Sequence, residues 1–322
     1  MRAIVVPQPG GREVLSVAEM DTPTPGPGGV LVRVEAAGVN FIDVYQRSGA
    51  YKMPLPGRLG LEGAGVVEAI GSEVSGIAPG ARVAWTSVPG SYASHVVVPA
   101  DKLVTVPEGI DTKTAAAAIL QGMTAQFLCT STYALKEGDA CIVHAAAGGV
   151  GQLLCQMADQ AGAFVFGTVS TREKAQLARE AGADEVIFYR DVDFSAEARR
   201  LTNGAGVHVV YDSVGKDTFD RSLASLARRG MLVLYGQSSG AVPPFDPQRL
   251  NAAGSIFLTR PTLGDYTRTR EELDARAADV FSRIAQGKLR IRIHAEVALA
   301  DAAEAHRMLE GRETTGKVLI IP

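Results

Sequence analysis

The stretch "CIVHAAAGGVGQLLCQMADQAG", Cys141–Gly162, joins an apolar run to a cluster of small residues and then to a helical pattern. The apolar residues of the pattern recur at helical spacing and predict one face that packs on a sheet: Val150, Leu153, Leu154, Met157, Ala158 and Ala161. Gly148, Gly149 and Gly151 lie at the start of this helix, where missing side chains let backbone amides approach a phosphate. The spacing differs from G-x-G-x-x-G, so a tight strand–helix turn without a ligand remains the alternative.

Strands and helices alternate on both sides of this turn. The predicted strands are Cys141–His144, Phe164–Thr168, Glu185–Phe188, Val207–Tyr211, Met231–Tyr235 and Ile256–Thr259. The predicted helices between them are Val150–Ala161, Arg172–Ala181, Phe194–Leu201 and Lys216–Ala227. This alternation predicts βαβ units and a parallel sheet with both faces covered, which favours a dinucleotide site at the glycine turn.

The first hundred residues have a different pattern, with short β-branched runs between Gly/Pro turns. The predicted strands are the N-terminal run, Val30–Val39, Gly63–Gly71, Ala81–Trp85 and Tyr92–Pro99. An alanine-rich helix follows Asp111, which is a candidate N-cap. Helices at Thr269–Gln286 and Ala300–Glu310 and a final strand, "KVLIIP", complete the chain. The chain of 322 residues is therefore expected to form about two domains.

The end of the second predicted parallel strand, "GTVSTREK", indicates which dinucleotide binds. A site that prefers NAD usually has an acidic residue here to bond the ribose hydroxyls, and none occurs from Thr168 to Arg172. Ser170, Arg172 and Lys174 could instead hold a 2′-phosphate, which favours NADPH. A solvated helix start with mixed charges is the alternative.

Bulk composition narrows the class of protein. The formal net charge of −3 leaves no broad basic field, which argues against nucleic acid as the main partner. No apolar run is long enough to cross a bilayer, and the N-terminus lacks a signal-peptide pattern. Three cysteines do not make a disulfide framework, so we expect a cytoplasmic protein. Neither the cysteines nor the histidines have metal-ligand spacing, and no metal site is predicted.

One motif suggests a different chemistry. "GQSSG", Gly236–Gly240, matches the G-x-S-x-G of a hydrolase nucleophile elbow and follows a predicted strand. The elbow requires a helix immediately afterwards, whereas Pro243, Pro244 and Pro247 oppose one. At the carboxyl end of a strand, the same loop is suited to line a cofactor crevice.

Several motifs together resemble one family. "GVNFIDVYQRSGAY", "PGRLGLEGAGVV", "GARVAW", "HAAAGGVG", "VVYDSVG", "GQSSG" and "GKVLIIP" are similar to the zinc-free quinone oxidoreductase (zeta-crystallin-like) branch of the medium-chain dehydrogenase/reductase superfamily. The resemblance implies a GroES-like catalytic domain over residues 1–124, completed by 261–322. It also implies a Rossmann NADPH-binding domain over residues 125–260, an active site in the cleft, and a homodimer joined through the Rossmann domains.

The resemblance also implies site residues. Asn40, Asp43 and Tyr51 would orient the acceptor or stabilise its oxygen, although Asn40 and Asp43 could simply cap a turn. The implied cofactor contacts are Phe41, Ile42, Tyr45, Thr124, Phe127, Gly148, Gly149, Val150, Ser170, Lys174, Tyr189, Ser213, Tyr235, Gly236, Gln237, Ser238, Thr259, Arg260 and Lys317. Taken singly, Tyr189 could be a core-edge tyrosine and Lys174 a solvated charge.

The implied reaction is hydride transfer from NADPH to a quinone. Positioning supplies most of the catalysis, and a strong acid is less necessary than in carbonyl reduction. Reduction of an activated C=C bond in an α,β-unsaturated ketone or aldehyde is the alternative of the same chemistry. A cofactor-binding structural or RNA-binding protein is the alternative of another class.

Overall fold

The computed structural model describes residues 1–322, which divide into two compact units. Unit 1 comprises residues 1–123 and 267–322, and unit 2 comprises residues 124–266. The strands are β1 (Arg2–Val6), β2 (Ser16–Glu19), β3 (Gly29–Val39), β4 (Gly57–Arg58), β5 (Glu62–Ile70), β6 (Arg82–Thr86), β7 (His95–Pro99), β8 (Leu103–Thr105), β9 (Ala140–Val143), β10 (Phe164–Val169), β11 (Glu185–Phe188), β12 (Val207–Asp212), β13 (Leu226–Leu234), β14 (Phe257–Thr259), β15 (Ile293–Ala298) and β16 (Lys317–Ile321).

The helices lie between these strands, and none is long and apolar enough to cross a membrane. They are α1 (Phe41–Ser48), α2 (Thr112–Phe127), α3 (Gly149–Gln160), α4 (Arg172–Glu180), α5 (Phe194–Leu201), α6 (Phe219–Ser225), α7 (Gln248–Ala252), α8 (Leu263–Tyr266), α9 (Arg270–Ala285) and α10 (Ala302–Glu310). A π-helical turn, Leu128–Thr132, follows α2. Short 3₁₀ turns lie at Arg12–Val14, Ala100–Lys102 and Leu299–Asp301.

Unit 1 contains a seven-stranded sheet in the order β15-β16-β3-β5-β6-β8, with β7 also paired to β3. A smaller sheet has the order β2-β1-β4. The core residues Trp85, Tyr92 and Leu103 are buried against these sheets. The last strand of the chain runs antiparallel to β3, with Leu319 opposite Gly38. Residues 267–322 therefore belong to the first unit.

Unit 2 contains a six-stranded sheet in the order β11-β10-β9-β12-β13-β14, and every neighbouring pair is parallel. The chain moves outward from β9 in one direction and then from β12 in the other. The strand order therefore reverses between β9 and β12, which is where open α/β sheets bind ligands. The predicted fold class, a β-rich unit plus a doubly wound parallel sheet, is confirmed.

Several elements differ from the sequence predictions, and strands β2, β4, β8 and β15 and helices α7 and α8 were not predicted. The helix predicted over Lys216–Ala227 spans only Phe219–Ser225, because Leu226 already pairs with Val207 in the sheet. The strand predicted from Tyr92 begins at His95. The short helix α1 was not predicted.

Candidate active site

The glycine turn lies at the carboxyl end of the central strand β9. Helix α3 begins at Gly149, and its N-cap is Gly148, whose amide donates to the Ala145 carbonyl at 2.8 Å. A Cβ on Gly151 would lie 2.9 Å from the carbonyl carbon of Ala145, so the helix packs directly on the turn. The first amides of a helix have no intrahelical acceptor, and Gly148 has no side chain to cap them. These amides fit a diphosphate.

The other cofactor residues predicted in the parallel sheet follow the carboxyl ends of its strands. These residues are Ser170 and Lys174 after β10, Tyr189 after β11, Ser213 after β12, Tyr235, Gly236, Gln237 and Ser238 after β13, and Thr259 and Arg260 at the end of β14. Because the strands are parallel, the sheet brings them to the same edge as the glycine turn.

The region after β10 is shaped by a helix cap. The Thr171 hydroxyl accepts the Lys174 amide at 3.2 Å, which places Lys174 in the first turn of α4. Lys174 is half-buried and Ser170 precedes the cap. The only acid in this turn is the exposed Glu173. The residues present therefore fit the 2′-phosphate of NADPH.

A buried polar network supports the centre of this edge. Asp212, at the end of β12, accepts the Val214 amide and the Ser222 hydroxyl, both at 2.8 Å. Because the Ser222 hydroxyl donates to Asp212, it accepts from His144 Nε2 at 3.0 Å. His144 Nδ1 then accepts the Thr168 hydroxyl at 2.8 Å. The network therefore ties together the carboxyl ends of β9, β10 and β12.

The serine, histidine and aspartate of this network do not form a nucleophilic triad. Ser222 and Asp212 are fully buried, and the serine hydroxyl donates to the carboxylate rather than to the imidazole. Burial lowers the pKa of His144. The "GQSSG" loop also lacks the helix of a nucleophile elbow, since the next helix after the loop begins only at Gln248.

In unit 1, the segment from Asn40 to Tyr51 presents aromatic side chains. Asn40 is the N-cap of α1, and Phe41, Ile42 and Tyr45 on its first turns are half-buried. The Phe41 and Tyr45 ring centroids lie 6.0 Å apart, and those of Tyr45 and Tyr51 lie 5.1 Å apart. The Tyr51 amide donates to the Tyr45 carbonyl at 2.9 Å. This aromatic group can pack against a flat apolar ring.

Asp43 lies beneath this group and is fully buried. Its Oδ2 accepts the Asn40 amide at 2.8 Å and the Tyr92 hydroxyl at 3.0 Å. Burial raises the pKa of Asp43 to about 6, although these hydrogen bonds oppose the rise. The structure therefore places the Asp43 carboxyl group in the buried cap of α1, and its expected role with the acceptor stays a prediction.

A second buried chain leads away from Asp43. Arg47 donates to His306 Nδ1 at 3.2 Å, so the hydrogen of His306 is on Nε2, 3.4 Å from the Tyr92 oxygen. Arg47 also pairs with Glu310 at 2.7 Å. Burial and the neighbouring Arg47 charge lower the pKa of His306 to about 3. The imidazole is therefore neutral in the folded protein near neutral pH.

Lys317 is also buried, with only 1% of its surface exposed. Its ammonium donates to the Asn40 side-chain oxygen at 2.9 Å and forms an ion pair with Glu62. Burial lowers the pKa of Lys317 to about 7, against the field of Asp43. Its ammonium contacts Asn40 and Glu62 inside unit 1, and its expected contact with the cofactor stays a prediction.

The alanine-rich helix α2 carries Thr124 and Phe127 in its last turn. Thr124 is half-buried, whereas Phe127 is 1% exposed and its ring stacks on Tyr266 with centroids 4.3 Å apart. The structure therefore places Phe127 in packing and leaves Thr124 partly accessible.

Comparisons with known proteins identify the family of the chain. Residues 26–108 match the family described as alcohol dehydrogenase GroES-like domain, and residues 149–280 match the family described as zinc-binding dehydrogenase. The chain is 48% identical over 315 residues to a quinone oxidoreductase of Pseudomonas aeruginosa, and the match covers 97% of each chain. The chain belongs to the quinone oxidoreductase family. This confirms the family predicted from the sequence.

Two further relatives of the quinone oxidoreductase family bear on the site. The crystal structure of Escherichia coli quinone oxidoreductase complexed with NADPH is 43% identical, with a TM-score of 0.98 and 100% coverage of both chains. A 2-haloacrylate reductase from Burkholderia is 40% identical over 99% of this chain and 98% of its own. Although one family description names zinc, the structure has no group of three or more His, Cys, Asp or Glu side chains that could hold a metal.

Sequence reasoning did not single out Glu62, His306 or Gln121 of this quinone oxidoreductase. Glu62 is an acid at the start of the apolar strand β5, and Lys317 is a base at the start of the apolar strand β16. Charged residues are rarely buried without a partner. An acid and a base that each begin a buried strand were therefore the available signal that each needs a partner of opposite charge.

Substituting Gly151 tests the close packing of the glycine turn. We expect Gly151→Ala to raise the NADPH dissociation constant about tenfold, because overpacking costs about 1–3 kcal/mol and displaces the first turn of α3. Titration calorimetry measures the change. Gly28→Ala, at an exposed position where a Cβ meets nothing within 4 Å, is the control. Unchanged NADPH affinity in Gly151→Ala would contradict the packing.

The buried His306 gives an acid dependence of stability. Its folded pKa of about 3 lies below the ordinary 6.5, so only the unfolded chain binds this proton between those values. The free energy of unfolding therefore falls as pH drops from 6.5 towards 3, by at most about 1.4 kcal/mol per pH unit. We expect His306→Gln to flatten this slope in urea unfolding at several pH values.

The raised pKa of Asp43 acts in the opposite direction between pH 3.8 and about 6. Because Asp43 is present in both proteins, the difference between wild type and His306→Gln isolates the histidine. His294→Gln, at an exposed site, is the control and should retain the wild-type slope. Equal slopes in wild type and His306→Gln would disprove the assignment.

Proposed function

We propose that the chain is an NADPH-dependent quinone reductase that works without a metal ion. The observation that carries the proposal is the uncapped start of α3 at the centre of the parallel sheet, beside the Ser170–Lys174 turn. A diphosphate fits the first feature, and the extra phosphate of NADPH fits the second. The quinone oxidoreductase relatives, one of them solved with NADPH, support the same choice.

Each part of the cofactor has its own residues in this proposal. Gly148 lets the backbone approach the diphosphate closely, and the amides of Gly149 and Val150 hold it. Ser170, Lys174 and Tyr189 surround the 2′-phosphate. Ser213 lies on the adenine side. Tyr235, Gly236, Gln237, Ser238, Thr259 and Arg260 contact the ribose and nicotinamide part. In unit 1, Phe41, Ile42 and Tyr45 contact the nicotinamide side.

The acceptor requires orientation more than acid catalysis. NADPH, when bound, supplies a hydride from C4 of its nicotinamide. The aromatic group of Phe41, Tyr45 and Tyr51 holds the flat quinone ring and excludes water from it. The Tyr51 hydroxyl orients a quinone oxygen, while solvent protonates the reduced oxygen, which is a fairly stable anion. Positioning of this kind is worth several kcal/mol.

A second candidate function is reduction of an activated C=C bond. The observation that favours it is the 40% identity to a 2-haloacrylate reductase over nearly the whole chain. The same hydride geometry serves both reactions, but C=C reduction also needs a proton delivered to carbon. Asp43, the carboxyl group on α1, is buried and held by two hydrogen bonds. This placement favours the quinone as acceptor.

Steady-state oxidation of NADPH tests the proposed function. We expect purified protein to reduce a small benzoquinone faster than 2-chloroacrylate, and to prefer NADPH to NADH. Lys174→Ala should raise the KM for NADPH about tenfold and leave that for NADH unchanged, because it removes one charge-assisted phosphate contact. Lys136→Ala, on the exposed loop before β9, is the control. A preference for NADH, or for the acrylate, would contradict the proposal.

We also propose a homodimer joined through β14 and a cytoplasmic location. Strand β14 pairs only with β13, and Phe257 on it is 57% exposed. An apolar edge strand is a template for pairing with a second copy. The three cysteines are free thiols, as expected in a reducing compartment.

Changing the edge strand tests the dimer. We expect Phe257→Glu to convert the dimer to a monomer in sedimentation equilibrium at micromolar concentration, because the charge would be buried without a partner. Phe164→Glu is the matched control, since Phe164 is 44% exposed but starts β10, which is paired on both sides. A monomeric wild-type protein would contradict the proposal.

A further inference from the structure

Glu62 and Lys317 meet inside unit 1 across the strand β3. Glu62 begins β5 and Lys317 begins β16, and these two strands flank β3. The side chains reach each other over Gly38, where any Cβ would overlap both the Glu62 carboxylate and the Lys317 stem. Glu62 is 0% exposed and Lys317 1% exposed. The pair is therefore closed off from solvent.

The pair holds the side-chain amide of Asn40. The Asn40 oxygen accepts from Lys317 at 2.9 Å and from Gln121 at 3.1 Å, and its nitrogen donates to Glu62 at 2.7 Å. The other Glu62 oxygen accepts the Leu120 amide of α2 at 2.9 Å. Both lone pairs of the Asn40 oxygen are used. The amide of Asn40 is therefore occupied by the protein and not free for an acceptor, although the sequence had suggested that role.

Asn40 is also the point where α1 begins. Its own amide donates to Asp43, and its side chain is fixed by residues of β5, β16 and α2. The first turn of α1, which carries Phe41, Ile42 and Tyr45, therefore takes its position from this cluster.

We propose that Glu62 and Lys317 are positioning residues for hydride transfer, which fix Asn40 and so the aromatic first turn of α1. This inference rests on the proposed quinone reductase function. The pair is a poor stabilising device, because desolvation of two charges offsets their attraction, and a neutral pair of similar volume is often as stable. Its contribution is instead the geometry that it gives to the reacting side of α1.

A double-mutant cycle separates positioning from stability. Glu62→Gln and Lys317→Met each leave the other side chain buried without its partner, and we expect each to lower the urea midpoint clearly. The double variant has no buried charge at either position and should recover most of that midpoint. Its kcat with benzoquinone should stay about tenfold to hundredfold below wild type, while the NADPH dissociation constant changes about twofold or less.

The matched control is the ion pair Lys113–Glu296, at 2.7 Å on the exposed surface of unit 1. Lys113→Met with Glu296→Gln should leave both the midpoint and kcat unchanged. Recovery of wild-type kcat in the Glu62/Lys317 double variant would show that the pair is structural only. Single variants with wild-type stability and kcat would also overturn the inference.

Hydrogen exchange gives a readout that does not depend on quinone activity. In the double variant, amides of residues 41–45 should exchange about tenfold faster or more, while those of β9–β14 keep wild-type rates. Unchanged exchange over residues 41–45 would overturn the positioning role. If wild type binds NADPH but reduces no quinone, the proposed function fails, and the exchange result still decides whether the pair fixes α1.

Discussion

The common direction of the six strands of unit 2 is the constraint on which its site depends. The carboxyl ends of parallel strands lie at one edge of the sheet. Six loops that are far apart in the sequence therefore converge there. The central loop is the glycine turn. The hydrogen-bonded network of Asp212, Ser222 and His144 holds the end of β9, where this turn begins. Fixed amides and hydroxyls cost little reorganisation when a charged ligand arrives, which is how a sheet edge becomes a binding surface.

In unit 1, buried polar side chains hold helix α1 in place. Helix α1, which carries the proposed nicotinamide-side residues, is only eight residues long, too short to be stable by propensity alone. Buried polar groups hold it at both ends: Asn40 and Asp43 at the start, and Arg47 with Glu310 near the end. Each of these groups makes at least one hydrogen bond, but Asp43 Oδ1 has no partner, and burial raises the pKa of that carboxyl group.

The sequence predicted the elements of unit 2 closely because periodicity and glycine position are local signals. Predicted strand Glu185–Phe188 and helix Phe194–Leu201 match the structure residue for residue. The sequence could indicate that Lys317 and Glu62 each need a buried partner, but not that they pair with each other, because that depends on which strands flank β3. The burial of Asp43 and Lys317 could not be predicted either, and their expected roles at the site stay predictions. A sequence motif indicates which part of the fold a residue lies in. Whether its side chain is buried depends on how the surrounding elements pack.

The interrupted chain of unit 1 also has a consequence for synthesis. Unit 2 is continuous, so its sheet can close once residue 266 has left the ribosome. The β-rich unit lacks β15 and β16 until residues 293–321 emerge, and the edge of β3 that pairs with β16 stays unpaired throughout that time. Unit 2 can therefore fold first, and the five-residue strand β16 completes the sheet of unit 1 later.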